Sequence, residues 1–185
     1  MSELAFGHTS EIKALDTERI LATLGDHGVE YVLIGGLAGI AHGSTLSTAD
    51  ADILPKQDQA NLERLLEALA AMGAKVLVEA RRLRSESAEP WEVSELRRGP
   101  AALLSAEAWH FTTDAGPVDV VIHATGVGGF EAHIERSRPL EVFGVRILVA
   151  GIDDLIASKE ALARPKDKAM LSELRDLHGT TRDER

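Results

Sequence analysis

The 185-residue chain has no cysteine, a formal charge of −10, and hydrophobic side chains at 44% of its positions. Zero cysteines exclude disulfides, thiolate metal sites and cysteine nucleophiles. The acidic balance argues against a generally basic nucleic-acid-binding face, though a local basic patch could still hold an RNA end. The length fits one ordinary domain with a proper core. With no run of about 18 apolar residues and no basic-then-apolar leader, the expectation is a cytoplasmic protein without a membrane span.

Residues 1–15 show weak periodicity and are expected to form a flexible N-terminal arm, followed by a single domain over 16–178 and a frayed tail over 179–185. From Thr17 to His27, Ile20, Leu21 and Leu24 recur at helical spacing, with Asp16 as N-cap and Gly28 as stop. Tyr31 to Ile34 is a short apolar strand, broken by Gly35-Gly36, where the backbone can turn tightly and approach a ligand. Leu37 to His42 then reads as a helix start, whose N–H groups favour an anionic group such as a phosphate. After the Gly43-Ser44 loop, Asp50 and Asp52 are placed on one strand. Two apart, their carboxylates share a face at a spacing of roughly 7 Å. Paired acids of this kind suit a hard divalent cation such as Mg²⁺. Taken singly, a Gly-Gly pair is usually only a turn and Asp-x-Asp usually a solvated strand edge or loop.

Beyond Pro55, Leu62, Leu65, Leu66, Leu69 and Met72 mark an amphipathic helix ending at Gly73, and Lys75 to Val78 reads as a strand. The order helix, strand, helix, strand, helix, strand points to an α/β sandwich. Residues 80–108 are rich in arginine, with Arg81, Arg82, Arg84, Arg97 and Arg98 around Trp91. They read either as a basic flap contacting triphosphate or a nucleic acid, or as a solvated loop neutralised by its own glutamates. Trp109 to Thr113 and Val118 to His123 form a hairpin around Asp114-Ala115-Gly116-Pro117. Asp119 stands inside that apolar second strand, where an unpaired charge would cost several kcal/mol, so it requires a partner.

Gly126-x-Gly128-Gly129 lacks the third glycine of a dinucleotide loop and is read as a plain loop, leading into a helix from Phe130 to Arg136. Leu140 to Val142 and Val145 to Val149 form a hairpin around Gly144. In the helix Asp153 to Leu162, Lys159 falls on the stripe of Leu155, Ile156 and Leu162. It either snorkels to the surface or points into a cleft as a compact countercharge. Pro165 opens a last helix buried through Met170, Leu171, Leu174 and Leu177, with Asp167 in its first turn.

An apolar strand ending in Gly35-Gly36, the spacer Leu37 to Ala49, and then Asp50-Ala51-Asp52-Ile53-Leu54 together resemble the DNA polymerase β-type nucleotidyltransferase superfamily. The resemblance implies an α/β (α+β) nucleotidyltransferase fold, a mixed β-sheet flanked by helices with a helical C-terminal segment. Leu155-Ile156-Ala157-Ser158-Lys159 and Arg164-Pro165-Lys166-Asp167-Lys168 resemble the tail of AbiEii/MenT-like toxin nucleotidyltransferases. One departure stands out: relatives commonly carry an arginine four residues before the first metal aspartate, where this chain has Leu46.

The implied activity is Mg²⁺-dependent transfer of a nucleoside monophosphate from an NTP, such as ATP, to an acceptor hydroxyl on a tRNA 3′ end or a protein. Two ions are expected with the bound NTP, and a cognate antitoxin is an implied partner. Asp50, Asp52 and Asp119 would coordinate metal, with Asp119 also deprotonating the attacking hydroxyl. Gly35 and Gly36 would cradle phosphates, Lys159 and Lys166 would counter their charge, and Asp167 would orient a lysine. Two alternatives remain open. One is a small-molecule nucleotidyltransferase of the antibiotic-inactivating type, which the acidic net charge suits. The other is a catalytically inactive nucleotide-binding or partner module, to which Leu46 points.

Overall fold

A computed structural model describes residues 13–76, 91–92, 99–165 and 167–183. Most of the expected N-terminal arm, all five arginines of the basic stretch and Lys166 lie outside those residues. The first helix, α1 (Thr17–Asp26), is capped by Asp16, whose Oδ1 accepts the Arg19 N–H at 3.1 Å. Its buried face is Ile20, Leu21 and Leu24, at the spacing that an amphipathic helix requires. Strand β1 (Tyr31–Ile34) follows and is buried throughout.

The next helix, α2 (Gly35–Ala41), begins at the glycine pair itself, two residues earlier than its sequence suggests. Gly35 takes a positive φ of 64°, which lets the chain turn from strand into helix with no residue spent on a loop. Strand β2 (Ala51–Pro55) starts one residue after Asp50. The expected placement of both acids on the strand is therefore corrected, since Asp50 sits in the bend leading into it. Helix α3 (Gln59–Ala71) is capped by Asp58, and strand β3 (Lys75–Val76) pairs with β4 (Trp91–Glu92) and β5 (Ala108–Thr113). A 3-10 helix at Pro100–Ser105 packs on α3 and buries Leu103.

Strand β6 (Gly116–Val121) closes a hairpin with β5 through the two residues Asp114 and Ala115, tighter than the four-residue turn expected. Helix α4 (Phe130–Ile134) is short, β7 (Arg138–Val142) and β8 (Val145–Val149) form the expected hairpin, and α5 (Ile152–Leu162) and α6 (Asp167–Asp183) complete the chain. Helix α6 runs on past Gly179, where a frayed tail was expected.

The eight strands form one sheet in the order β4-β3-β5-β6-β2-β1-β8-β7. It is mixed: β1 runs parallel to β8 and β2 parallel to β6, while the other neighbours are antiparallel. Pleating decides which residues face where. Ala51, Ile53, Phe111, Val118 and Val120 share one face and are completely buried. Burying a side chain such as Phe111 or Ile53 contributes roughly 1.5–3 kcal/mol, so this face carries much of the core. The opposite face holds Asp52 and Asp119. Among the described residues, no helix is long and apolar enough to cross a membrane.

Candidate functional site

The parallel register of β2 and β6 sets Asp52 directly beside Asp119. Because Val118 and Val120 must point into the core, Asp119 is forced out on the other side, and the same alternation turns Asp52 out between Ala51 and Ile53. Asp50 reaches them from the bend, held by the Thr48 hydroxyl, which donates to Asp50 Oδ1 at 2.7 Å. Each of the three offers a carboxylate oxygen within 4.8 Å of the others. At that distance two like charges repel by on the order of 3 kcal/mol in a medium of effective dielectric about 20.

The Asp52 pKa is pushed up to about 6. Burial is the largest cause, followed by the charges of Asp50 and Asp119, while Lys159 and the Gly36 N–H partly offset them. Three hard oxygen donors that destabilise one another without a cation fit a divalent metal ion by their chemistry.

The glycine pair belongs to the same packing unit. A Cβ on Gly35 would overlap the Asp52 carboxylate, and one on Gly36 would lie 2.5 Å from the Thr48 Oγ1. The space that the two absent side chains leave is therefore filled by the residue bearing one acid and by the residue that holds another. Helix α6 steadies the loop before Asp50, since Glu173 accepts the Thr45 N–H at 2.8 Å and its hydroxyl at 2.7 Å.

On the opposite wall, α5 ends at Ala163 in the left-handed conformation with φ 49°, and the chain doubles back into α6. This return brings Asp167, which is 3% exposed, against two cations. Lys159 Nζ donates to Asp167 Oδ1 at 2.9 Å, and Arg164 Nε donates to Oδ2 at 2.7 Å. Burial alone would raise the Asp167 pKa, but the bonds from Arg164 and Lys159 outweigh it and hold the group below its ordinary value. Lys159 thus lies inward, with its ammonium in the cleft wall.

Two hollows meet at these residues. One, of about 380 Å³, lies between Gly36, Thr48, Asp50 and Asp52 on one side and Lys159, Arg164 and Asp167 on the other. The second, of about 200 Å³, shares Asp52, Asp119, Lys159 and Arg164 and extends toward His110, His133 and Asp154. Leu46 lines the larger hollow and packs partly against the core.

Of the residues expected at the site, Asp50, Asp52, Asp119, Gly36, Lys159 and Asp167 come together around the larger hollow, and Gly35 lines the smaller one. Three others were not anticipated in a site role. Thr48 holds Asp50. Arg164 lines both hollows. His110 Nδ1 lies 2.8 Å from Asp119 Oδ1. The signal for His110 was the hairpin register: with Asp114-Ala115 as the turn, counting back along both strands pairs His110 with Asp119.

No family model matches the chain, and no curated protein matches it. Among solved structures it is similar to the antibiotic-resistance factor ANT(2'')-Ia, with 12% identity and a TM-score of 0.51 over 90% of this chain and 89% of that one. It is also similar to a Thermotoga maritima protein assigned provisionally as a nucleotidyltransferase, with 14% identity and a TM-score of 0.51 over 91% of this chain and 99% of that one. At these identities the likeness is one of fold. The chain has the nucleotidyltransferase fold, a mixed sheet flanked by helices with a helical C-terminal segment.

Proposed function

We propose that the protein is a Mg²⁺-dependent nucleotidyltransferase that moves a nucleoside monophosphate from an NTP to an acceptor hydroxyl. The observation that carries this reading is the meeting of Asp50, Asp52 and Asp119 within 4.8 Å, at the edge of a cleft whose far wall is cationic. In the transfer, the acceptor oxygen forms a bond to the α-phosphorus, the bond from that phosphorus to the β-phosphate bridging oxygen breaks, and pyrophosphate leaves. Asp119 takes the hydroxyl proton. Asp50, Asp52 and Asp119 would hold the metal, which supplies charge neutralisation to the phosphoryl group and its leaving oxygen.

Lys159 and Arg164 would counter the triphosphate charge from across the cleft, with Asp167 orienting both. Lys166 belongs to the same segment and is assigned the same role by resemblance. Gly36 leaves room for Thr48, which holds Asp50, and Gly35 leaves room for Asp52, so the two glycines would serve the phosphate site by placing its acids. Arg164 also offers a countercharge in the hollow that Leu46 lines, which bears on the arginine missing from position 46. Much of the rate enhancement of such a site comes from positioning and electrostatics.

The motif from Leu155 to Lys168 supports membership of the AbiEii/MenT-like toxin group, with a tRNA 3′ end or a protein as acceptor and an antitoxin as partner. A small-molecule acceptor is favoured by a different observation, the confined second hollow of about 200 Å³ beside Asp119. Incubating the chain with labelled NTPs, Mg²⁺ and either total RNA or a small-molecule extract tests the activity and separates the acceptors. Label transfer that persists in Asp50→Ala would remove these acids from the chemistry.

A further inference from the structure

Each of the three clustered acids meets a different neighbour. The Thr48 hydroxyl donates to Asp50 Oδ1 at 2.7 Å. Asp52 accepts the Gly36 N–H and fills the space that Gly35 leaves. Asp119 stands on β6, whose register fixes its Cα and the direction of its Cβ. The rotation of its carboxylate is another matter, since that torsion has only broad preferences of its own. His110 on β5 meets this carboxylate, with Nδ1 2.8 Å from Asp119 Oδ1.

The neighbours of His110 in the chain fix where it points. Phe111 is completely buried, and Trp109 packs against the core with its Nε1 donating to the Leu103 carbonyl at 2.8 Å. Alternation along β5 therefore sends His110 to the face that carries the acids, directly opposite Asp119 in the β5–β6 register. Asp119 lines both hollows, while His110 lines only the smaller one. Among the described residues, the group whose ligand atoms all lie within 4.8 Å of one another is Asp50, Asp52 and Asp119, without His110. The imidazole thus touches one of the acids without joining their cluster.

We propose that His110 is a positioning residue of the metal site, fixing the rotation of the Asp119 carboxylate by its contact at Oδ1 and leaving Oδ2 to the divalent ion. This rests on the reading of the three acids as a metal site, and not on the transfer reaction. A carboxylate that ligates metal is deprotonated and its oxygens only accept, so the hydrogen between the two groups lies on Nδ1. Without the ring, repulsion from Asp50 and Asp52 is free to rotate the carboxylate away from them before an ion arrives. Side chains that hold a ligand without touching the metal typically carry about 10–100-fold in metal affinity or activity. To the fold, a cross-strand pair of this kind contributes little, and at 41% side-chain exposure the imidazole leaves no cavity when it is replaced.

The test titrates Mn²⁺ into the full nucleotide-free chain and reads binding by electron paramagnetic resonance. His110→Leu is expected to weaken Mn²⁺ binding about tenfold or more. His110→Asn, whose amide nitrogen falls where Nδ1 stands, is expected to bind within about threefold of the parent, and His110→Gln, whose amide falls nearer Nε2, to behave like the leucine variant. In an Asp119→Asn background His110→Leu is expected to change nothing further, because the effect runs through Asp119. Pulsed measurements on the parent should show no nitrogen bound directly to the ion. Parental affinity in His110→Leu, an equal loss in His110→Asn, an effect that persists without Asp119, or a directly bound nitrogen would each overturn the proposal. Should the leucine variant fail to fold, the asparagine and glutamine variants decide, and equal affinities for those two overturn it. A parent chain that binds no Mn²⁺ removes the metal site and this proposal with it. Label transfer from NTP is scored separately: if Mn²⁺ binding depends on His110 as described while no label moves to any acceptor, the transferase reading fails and the positioning of Asp119 stands.

Discussion

Asp52 and Asp119 are register partners on neighbouring parallel strands, so the sheet itself, and not a loop, fixes the distance between their carboxylates. A parallel pair in this position has a direct consequence for the site: the two backbones cannot move apart without breaking the β2–β6 ladder. Replacing either by alanine is expected to lower nucleotide transfer by on the order of 10³-fold, the loss of several kcal/mol of charge stabilisation. The fold should persist, as circular dichroism would confirm. Retained transfer in Asp52→Ala would refute the role.

The pKa of Asp52 gives a pH dependence with a definite sign. Its folded value of about 6 stands above the ordinary 3.8, so the folded protein binds the extra proton more readily than the unfolded chain. Metal-free stability should therefore rise as pH falls from above 6 toward about 4, by on the order of 1–3 kcal/mol from this group. Urea denaturation across that range measures it. Asp119→Asn should shrink the effect by removing one of the like charges, and Mg²⁺ should raise the melting temperature more at pH 8 than at pH 5.

At Gly35, alanine would have to adopt a left-handed backbone, costing about 1–2 kcal/mol, while its methyl displaces the Asp52 carboxylate. Gly35→Ala should therefore destabilise the protein by more than about 2 kcal/mol and weaken divalent-metal binding together. A variant that is less stable yet binds metal normally would show that the displaced carboxylate returns to its place.

Asp167→Asn keeps the shape and removes the charge that holds Lys159 and Arg164. Because Arg164 is about half exposed, the expected cost is discounted to about 2 kcal/mol from the larger values typical of fully buried pairs. The Asp167 pKa lies below its ordinary value, so its contribution is present at neutral pH and is lost in acid as pH falls through the folded value. The variant should lose that part of the acid sensitivity, which thermal melts at pH 7 and pH 3 would show. KM for NTP should rise, since both cations lose their anchor.

Much of this was legible in the chain, for reasons that differ by residue. The core helices carry their caps and their leucine spacing in sequence, and Asp119 announced itself as a charge among Val118, Val120 and Val121. What escaped was set by geometry that one residue decides. Reading four residues in the β5–β6 turn would pair Thr113 with Val118 and leave Asp119 opposite Thr112. The two-residue turn shifts that pairing and brings His110 across from Asp119. Helix α2 began earlier than expected because apolar spacing cannot register glycines that enter a helix through a positive φ. His133 and Asp154, 21 positions apart on α4 and α5, meet only in the folded chain, and no local pattern encodes that.

The return of the chain at Ala163 also has a consequence in time. The three clustered acids come from residues 50–119, but the facing cations and Glu173, which steadies the loop before Asp50, are supplied by α5, α6 and the turn between them. As the polypeptide emerges from the ribosome, the acids are displayed well before their counterpart is made. The cleft therefore gains its second wall only once α5 and α6 have been made and folded back at Ala163.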